Sequence, residues 1–100
     1  MADPTLKDEL CRAINNRLVV EFRYDNRDRV ANPHGLFKSD GNYVLASWQT
    51  GGSSRSGSLP QWRNFEVTNV RNLIVTDTTF DGPQDDFDAK HFGEIICALK

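Results

Sequence analysis

Two histidines, two cysteines and a run of aspartates are the residues of this 100-residue chain whose types could carry catalysis or hold a metal. A nucleophile needs a base and an orienting group within reach, and neither His34 nor His91 stands in a triad or metal-ligand spacing. Cys11 sits beside Leu10 in a helical pattern and Cys97 lies in an apolar strand, so both read as buried core thiols. Asp85, Asp86 and Asp88 lack the full alternation and closing Glu of a calcium loop, and read as a solvated acidic turn. Gly51-Gly52 falls between strands and opens no helix, so it is not a phosphate loop. The expectation is a protein that is not an enzyme and needs no metal or cofactor.

Arginine and aromatic residues form the more informative constellation. Residues 12–71 hold Arg12, Arg17, Arg23, Arg27, Arg29, Arg55, Arg63 and Arg71 against the single Lys38, and net +4. Residues 1–11 net −2 and residues 72–100 net −4, which conceals the basic centre in an overall charge of −2. The planar guanidinium fork binds phosphate or carboxylate bidentately, which lysine cannot do. Overall acidity argues against a non-specific duplex binder, whose affinity rests on many phosphate contacts, but leaves room for a local anion site. Tyr24, Tyr43, Trp48 and Trp62 combine π-faces with polar tips, and Arg29, Arg55 and Arg63 lie near them in sequence or by hairpin pairing. Small barrels hold nucleotides or single strands on such arginine-flanked aromatics. The plainer alternative is interspersed charge that keeps a barrel soluble, with Tyr24 and Trp48 in the core and Trp62 alone exposed.

The elements that must position these residues follow from periodicity. Leu6, Leu10, Ala13 and Ile14 make one apolar stripe, which predicts an amphipathic helix over 3–15 with Thr5 and Asp8 as a capping-box-like start. From Leu18 the period falls to two, with Leu18, Val20, Phe22 and Tyr24 on one face. Asp25 to Asp28 and Ser39 to Asn42 predict hairpin turns. Between them runs a strand from Arg29 to Phe37, in which Pro33 marks an edge or a bulge. Tyr43–Gln49, Trp62–Val67, Leu73–Thr78 and Glu94–Leu99 complete six strands, with a Gly/Ser loop at 50–61 and an acidic loop at 81–90. One helix and six short strands predict a mainly β protein, a small, strongly bent antiparallel barrel of five or six strands with the helix over an open end.

Length and composition bound the rest. One hundred residues make a single domain, and 38% hydrophobic with 26% charged residues suits a soluble globular chain. No apolar run approaches the roughly 18 residues of a spanning helix, so no membrane partner is expected. Met1-Ala2-Asp3-Pro4 lacks the regions of a secretory signal, and two cysteines make no disulfide framework. Reduced thiols in a cytoplasmic protein are the expectation.

The order of several motifs resembles the WYL domain family, and in particular its short stand-alone bacterial versions. The residues that carry the resemblance are Val19–Tyr24, Arg29 through Pro33 as Arg-x-x-x-Pro, and Asn32-Pro33-His34. They continue with Gly41 through Trp48, Ser54-Arg55-Ser56-Gly57, Trp62-Arg63-Asn64-Phe65-Glu66-Val67 and the closing Ile95-Ile96-Cys97-Ala98-Leu99. The match runs over nearly the whole chain. It implies one Sm-like (SH3-like) β-barrel domain of a kind found in transcription regulators and defence-system proteins, sensing nucleic-acid or nucleotide-like ligands. The ligand-binding residues it singles out, with the arginine–aromatic pattern, are Arg29, His34, Tyr43, Arg55, Ser56, Trp62 and Arg63. Three positions depart from the family pattern. The signature Trp-Tyr-Leu stands as Tyr43-Val44-Leu45, the second arginine of Arg-x-Phe-Arg is Glu66, and Asp-Arg-Ile is Thr68-Asn69-Val70. Loss of two basic positions fits a second expectation, a structural protein that binds no small ligand and forms homo-oligomers through open strand edges.

Overall fold

The computed structural model describes residues 4–52, 60–84, 86–87 and 94–99. Arg55, Ser56, Asp85, Asp88 and His91 lie outside the described residues.

Helix α1 spans Pro4–Asn16, so Thr5 lies inside it rather than capping it. Proline suits a first helical turn, where its missing N–H would have no intrahelical partner. The expected stripe is the buried one. Leu10, Ala13 and Ile14 are fully enclosed and Leu6 packs beside them. Arg17 takes a left-handed conformation at φ 55°, and its N–H donates to the Ile14 carbonyl at 3.2 Å, which ends the helix.

Six strands follow: β1 (Leu18–Tyr24), β2 (Arg27–Ser39), β3 (Asn42–Gly52), β4 (Gln61–Glu66), β5 (Arg71–Thr79) and β6 (Glu94–Ala98). Both predicted hairpins form. Asp25 and Asn26 sit at φ 54° and 60°, the left-handed pair that a two-residue turn requires, and Asp40-Gly41 does the same after β2. The sheet order is β4-β3-β2-β1-β5, antiparallel throughout, and β6 also pairs with β2. Strand β2 is long enough to serve two neighbours. Tyr24↔Arg27 to Val20↔Ala31 join it to β1, while Gly35↔Ala98 to Lys38↔Glu94 join it to β6. Between the two stretches Pro33 pairs with Ser47 and Gly35 with Ala46, which leaves His34 as the extra residue of a bulge. The proline signal therefore did mark a break in the ladder.

Two expectations need correction. The sheet does not close into a barrel: β4 and β5 end the path, and among the described residues no ladder joins them. Between these two strands the chain turns through a 3-10 segment, Val67–Asn69, whose ends bury Val67 and Val70. Side chains of β4 reach across to β1. The Phe65 ring on β4 meets Phe22 and Tyr24 of β1 edge-on, each at 4.9 Å, and the Glu66 N–H donates to the Tyr24 hydroxyl at 3.1 Å. The second correction concerns the cysteines. Cys11 on α1 and Cys97 on β6 form a disulfide, with Cα atoms 5.8 Å apart across 86 positions of sequence. They are not reduced thiols, because the helix lies against the terminal strand at the separation a disulfide spans. No helix among the described residues is long and apolar enough to cross a membrane.

Candidate functional site

The residues singled out in the sequence fall into three places. Arg29 and Arg63 lie together at the rim of the curled sheet. Arg29 shares its face with Phe22, its direct partner on β1, and is 2% exposed. Its guanidinium lies 5.7 Å from the Phe65 ring and 5.9 Å from the Tyr24 ring, and donates to the Tyr24 carbonyl at 3.2 Å. Burial lowers its pKa, and the positive charge of Arg63 lowers it further, against a smaller opposing effect of Asp25. Arg63 stands directly opposite Ser47, which is fully buried and whose hydroxyl has no hydrogen-bond partner among the described residues.

A polar cleft of about 460 Å³ opens beside this rim, between the β1–β2 turn and the start of β5. Arg23 and Arg71 are direct cross-strand partners there, joined by Tyr24, Asp25, Asn26, Asn69 and Asn72. Each arginine is steadied by backbone carbonyls: Arg23 donates to Asn26 at 2.7 Å, and Arg71 to Thr68 at 2.6 Å and Val70 at 3.1 Å. Arg23 also lies 3.5 Å from the Asp28 carboxylate, an exposed pair of small energetic weight. Arginines held in place with donors to spare are suited to receive an anion.

His34 and Trp62 are together but elsewhere. The bulge turns His34 off the ladder into an aromatic cluster, where Trp62 lies 4.8 Å, Phe87 5.1 Å and Phe80 5.9 Å from its ring. Trp48, the cross-strand partner of Trp62, adds a fourth ring 5.3 Å from it. The imidazole is fully buried, and its Nδ1–H donates to the Asn32 carbonyl at 2.8 Å. Its Nε2 accepts the Gln84 N–H at 3.0 Å, which fixes a neutral tautomer. Burial pushes its pKa below the ordinary histidine range, with the Asn32 carbonyl and Asp86 opposing. Tyr43 stands apart from both groups, under Lys7 at 4.2 Å and Lys38 at 5.8 Å.

Sequence reading missed Arg23, Arg71 and Asn69 as one cleft, and Gln84, Asp86 and Phe87 as partners of His34 and Trp62. The first set depends on the β1–β5 register, which local patterning does not reveal. A hint of the second was present, since Phe80 and Phe87 bracket an otherwise polar acidic stretch. Among the described residues no group of three His, Cys, Asp or Glu side chains is placed to hold a metal. Known protein families, curated proteins and solved structures offer no match to the chain.

Proposed function

We propose that this chain is a non-enzymatic ligand-binding module that holds a nucleotide or a short single-stranded nucleic acid on an arginine–aromatic surface. The observation that carries the reading is Arg29, a guanidinium taken out of water with the like charge of Arg63 beside it. An anion beside two neighbouring guanidiniums interacts with both charges at once, which favours binding there. The second arginine pair in the neighbouring cleft extends the positive surface, and Tyr24 borders both. The order of motifs that resembles WYL domains, with their regulatory settings, supports the same reading. Glu66 is the one acid set into the strand that carries Arg63.

Fluorescence anisotropy with labelled nucleotides and oligonucleotides tests this. Affinity should fall steeply with salt, with a log–log slope of roughly −0.7 for each phosphate neutralised. Arg63→Ala should weaken binding by about 1–3 kcal/mol, the range for a charge-assisted hydrogen bond. Glu66→Arg should strengthen it. No binding by the wild type at low salt, together with no gain from Glu66→Arg, would sink the proposal.

One observation favours a second reading, self-assembly through strand edges. Ile74 is 57% exposed on β5, which ends the sheet. Register shifts on both sides of Ile74 kink that edge, and bulges of this kind guard edges against pairing, so assembly ranks second. A monomeric mass by light scattering at high concentration would remove it.

A further inference from the structure

We propose that the cleft between the β1–β2 turn and the start of β5 is a second site, built by a bulge in β5, which holds the phosphate of a sugar phosphate ester between Arg23 and Arg71. It goes beyond the ligand reading above and uses neither Arg29 nor Arg63. Arg23 follows Phe22 on β1 and so points away from Arg29, the cross-strand partner of Phe22, while Tyr24 borders both places.

An irregularity of β5 makes the pair. Glu21 faces Ile74 and Arg23 faces Arg71, so two residues, Asn72 and Leu73, stand where β1 has Phe22 alone. In unbroken register Asn72 would face Arg23. Asn72 instead takes φ 56°, a left-handed conformation unfavourable for a residue with a side chain. Five non-glycine residues among the described ones have positive φ, and Asp25, Asn26 and Asn72 line this one cleft. The two-residue turn accounts for Asp25 and Asn26, and the bulge alone accounts for Asn72. Its result is an arginine directly opposite an arginine, an unfavourable cross-strand pair. Guarding the β5 edge calls for a kink but not for this partner. Backbone preference and charge pairing are both set aside at one place, and such departures gather at functional sites.

The surroundings fix both guanidiniums without neutralising them. Arg71 donates to the Thr68 and Val70 carbonyls, and among the described residues it has no ion pair. Arg23 donates to the Asn26 carbonyl, and Asp28 lies 3.5 Å from it in an exposed pair. A carboxylate offers two oxygens, which one guanidinium fork fills. A phosphate monoester offers three terminal oxygens and can take a fork from each strand. Its charge, about −1.5 to −2 near neutral pH, also suits two cations. The cleft, about 460 Å³, is far larger than a phosphate group and leaves room for the body of the ester. That body meets Asn26, Asn69 and Asn72, whose amides both donate and accept, and Asp25, which only accepts. An acceptor-only carboxylate repels a bare anion but receives hydroxyl groups, as an acid does on the ribose in dinucleotide sites. A phosphorylated sugar satisfies both halves of this lining.

Isothermal titration calorimetry with ribose 5-phosphate at low salt tests the site, in Arg63→Ala protein so that the arginine rim contributes nothing. One ribose 5-phosphate should bind per chain. Adding Arg71→Gln, or separately Arg23→Gln, should weaken it at least about ten-fold, the loss of a charge-assisted hydrogen bond. Inorganic phosphate should bind about ten-fold more weakly than the ester, for want of the hydroxyl contacts. Asn72→Val removes no charge but opposes φ 56°, so it should lose as much as Arg71→Gln, while Asn72→Gly keeps the conformation and the binding. Adenosine 5′-monophosphate identifies the source of the ester: tighter binding than ribose 5-phosphate assigns a nucleotide, equal binding a free sugar phosphate, and either supports the site.

No binding by Arg63→Ala protein, undiminished binding in both further arginine variants, or inorganic phosphate as tight as the ester overturns the proposal. Unchanged affinity in Asn72→Val overturns the bulge as the builder of the site. Should a variant fail to fold, the Nε–Hε signals of Arg23 and Arg71 in wild-type NMR spectra decide. They must shift with ribose 5-phosphate, and unmoved signals overturn the site. Ribose 5-phosphate bound by a protein that takes no oligonucleotide leaves this site standing and removes the ligand reading.

Discussion

Around His34, both imidazole nitrogens, the Trp62 indole N–H and the carbonyl of residue 34 all find partners within the chain. At the rim of β1 arginines gather: Arg29 lies within the influence of Arg63 and Asp25, and Arg23, paired with Asp28, faces Arg71 across two strands. Both regions are rich in aromatic rings, and both were read in the sequence as one surface. The difference teaches that aromatic content alone does not mark a binding site. Where polar atoms are mutually satisfied the rings serve as structure, and where arginines gather the surface is the candidate for an anion.

The largest expected effect separates the two regions through β6. The Cys11–Cys97 bridge ties α1 to the strand that leads into the His34 contact, and it closes most of the chain into one loop. Reduction, or Cys97→Ser, should cost about 4 kcal/mol by the chain-entropy argument, read from urea unfolding with and without reductant. Tryptophan emission should respond at lower urea than a probe of the arginine rim. Coincident transitions would dissolve the distinction between the regions.

Leu10→Ala is next and acts on both sides equally. Leu10 is fully buried in the core that includes Phe22, Leu36, Leu45 and Phe65, so the substitution should cost about 2–4 kcal/mol. A loss below about 0.5 kcal/mol in thermal unfolding would place the helix off that core.

The smallest effect belongs to His34 alone. Its folded pKa lies below its unfolded one, so between the two values the unfolded chain binds more protons. The stability it contributes is therefore complete above about pH 6.5 and is lost as pH falls toward the folded value. Melting temperature measured across that window should decline in wild type and less in His34→Gln. An equal decline would assign the effect to carboxylates elsewhere.

Much of the fold was legible because it is local. The stripe Leu6, Leu10, Ala13 and Ile14 fixes the helix, the alternation Leu18, Val20, Phe22 and Tyr24 fixes the inner face of β1, and Asp25-Asn26 and Asp40-Gly41 fix two turns. Each rests on a few neighbouring residues whose conformational preferences agree. The candidate site was legible only as residue types. Arg29 and Arg63 did prove to be neighbours, but Trp62 and His34, which share motifs with them, point to another part of the molecule, and Tyr43 to a third.

The reason lies in parity and register. Adjacent residues on a strand, such as Trp62 and Arg63, face opposite sides of the sheet, so closeness in sequence guarantees separation in space. A single extra residue at His34 re-aims a side chain, and a register shift in β5 sets Arg71 against Arg23. The amino-acid sequence by itself determined the helix, the six strands, the hairpin turns and an edge or a bulge at Pro33, because these depend on short-range sterics and hydrophobic period. Tertiary structure alone decided that the sheet stays open, that Cys11 meets Cys97, which arginines stand together, and which segment lies over Trp62. Those contacts join residues tens of positions apart, and their geometry exists only once the sheet has curled around its core.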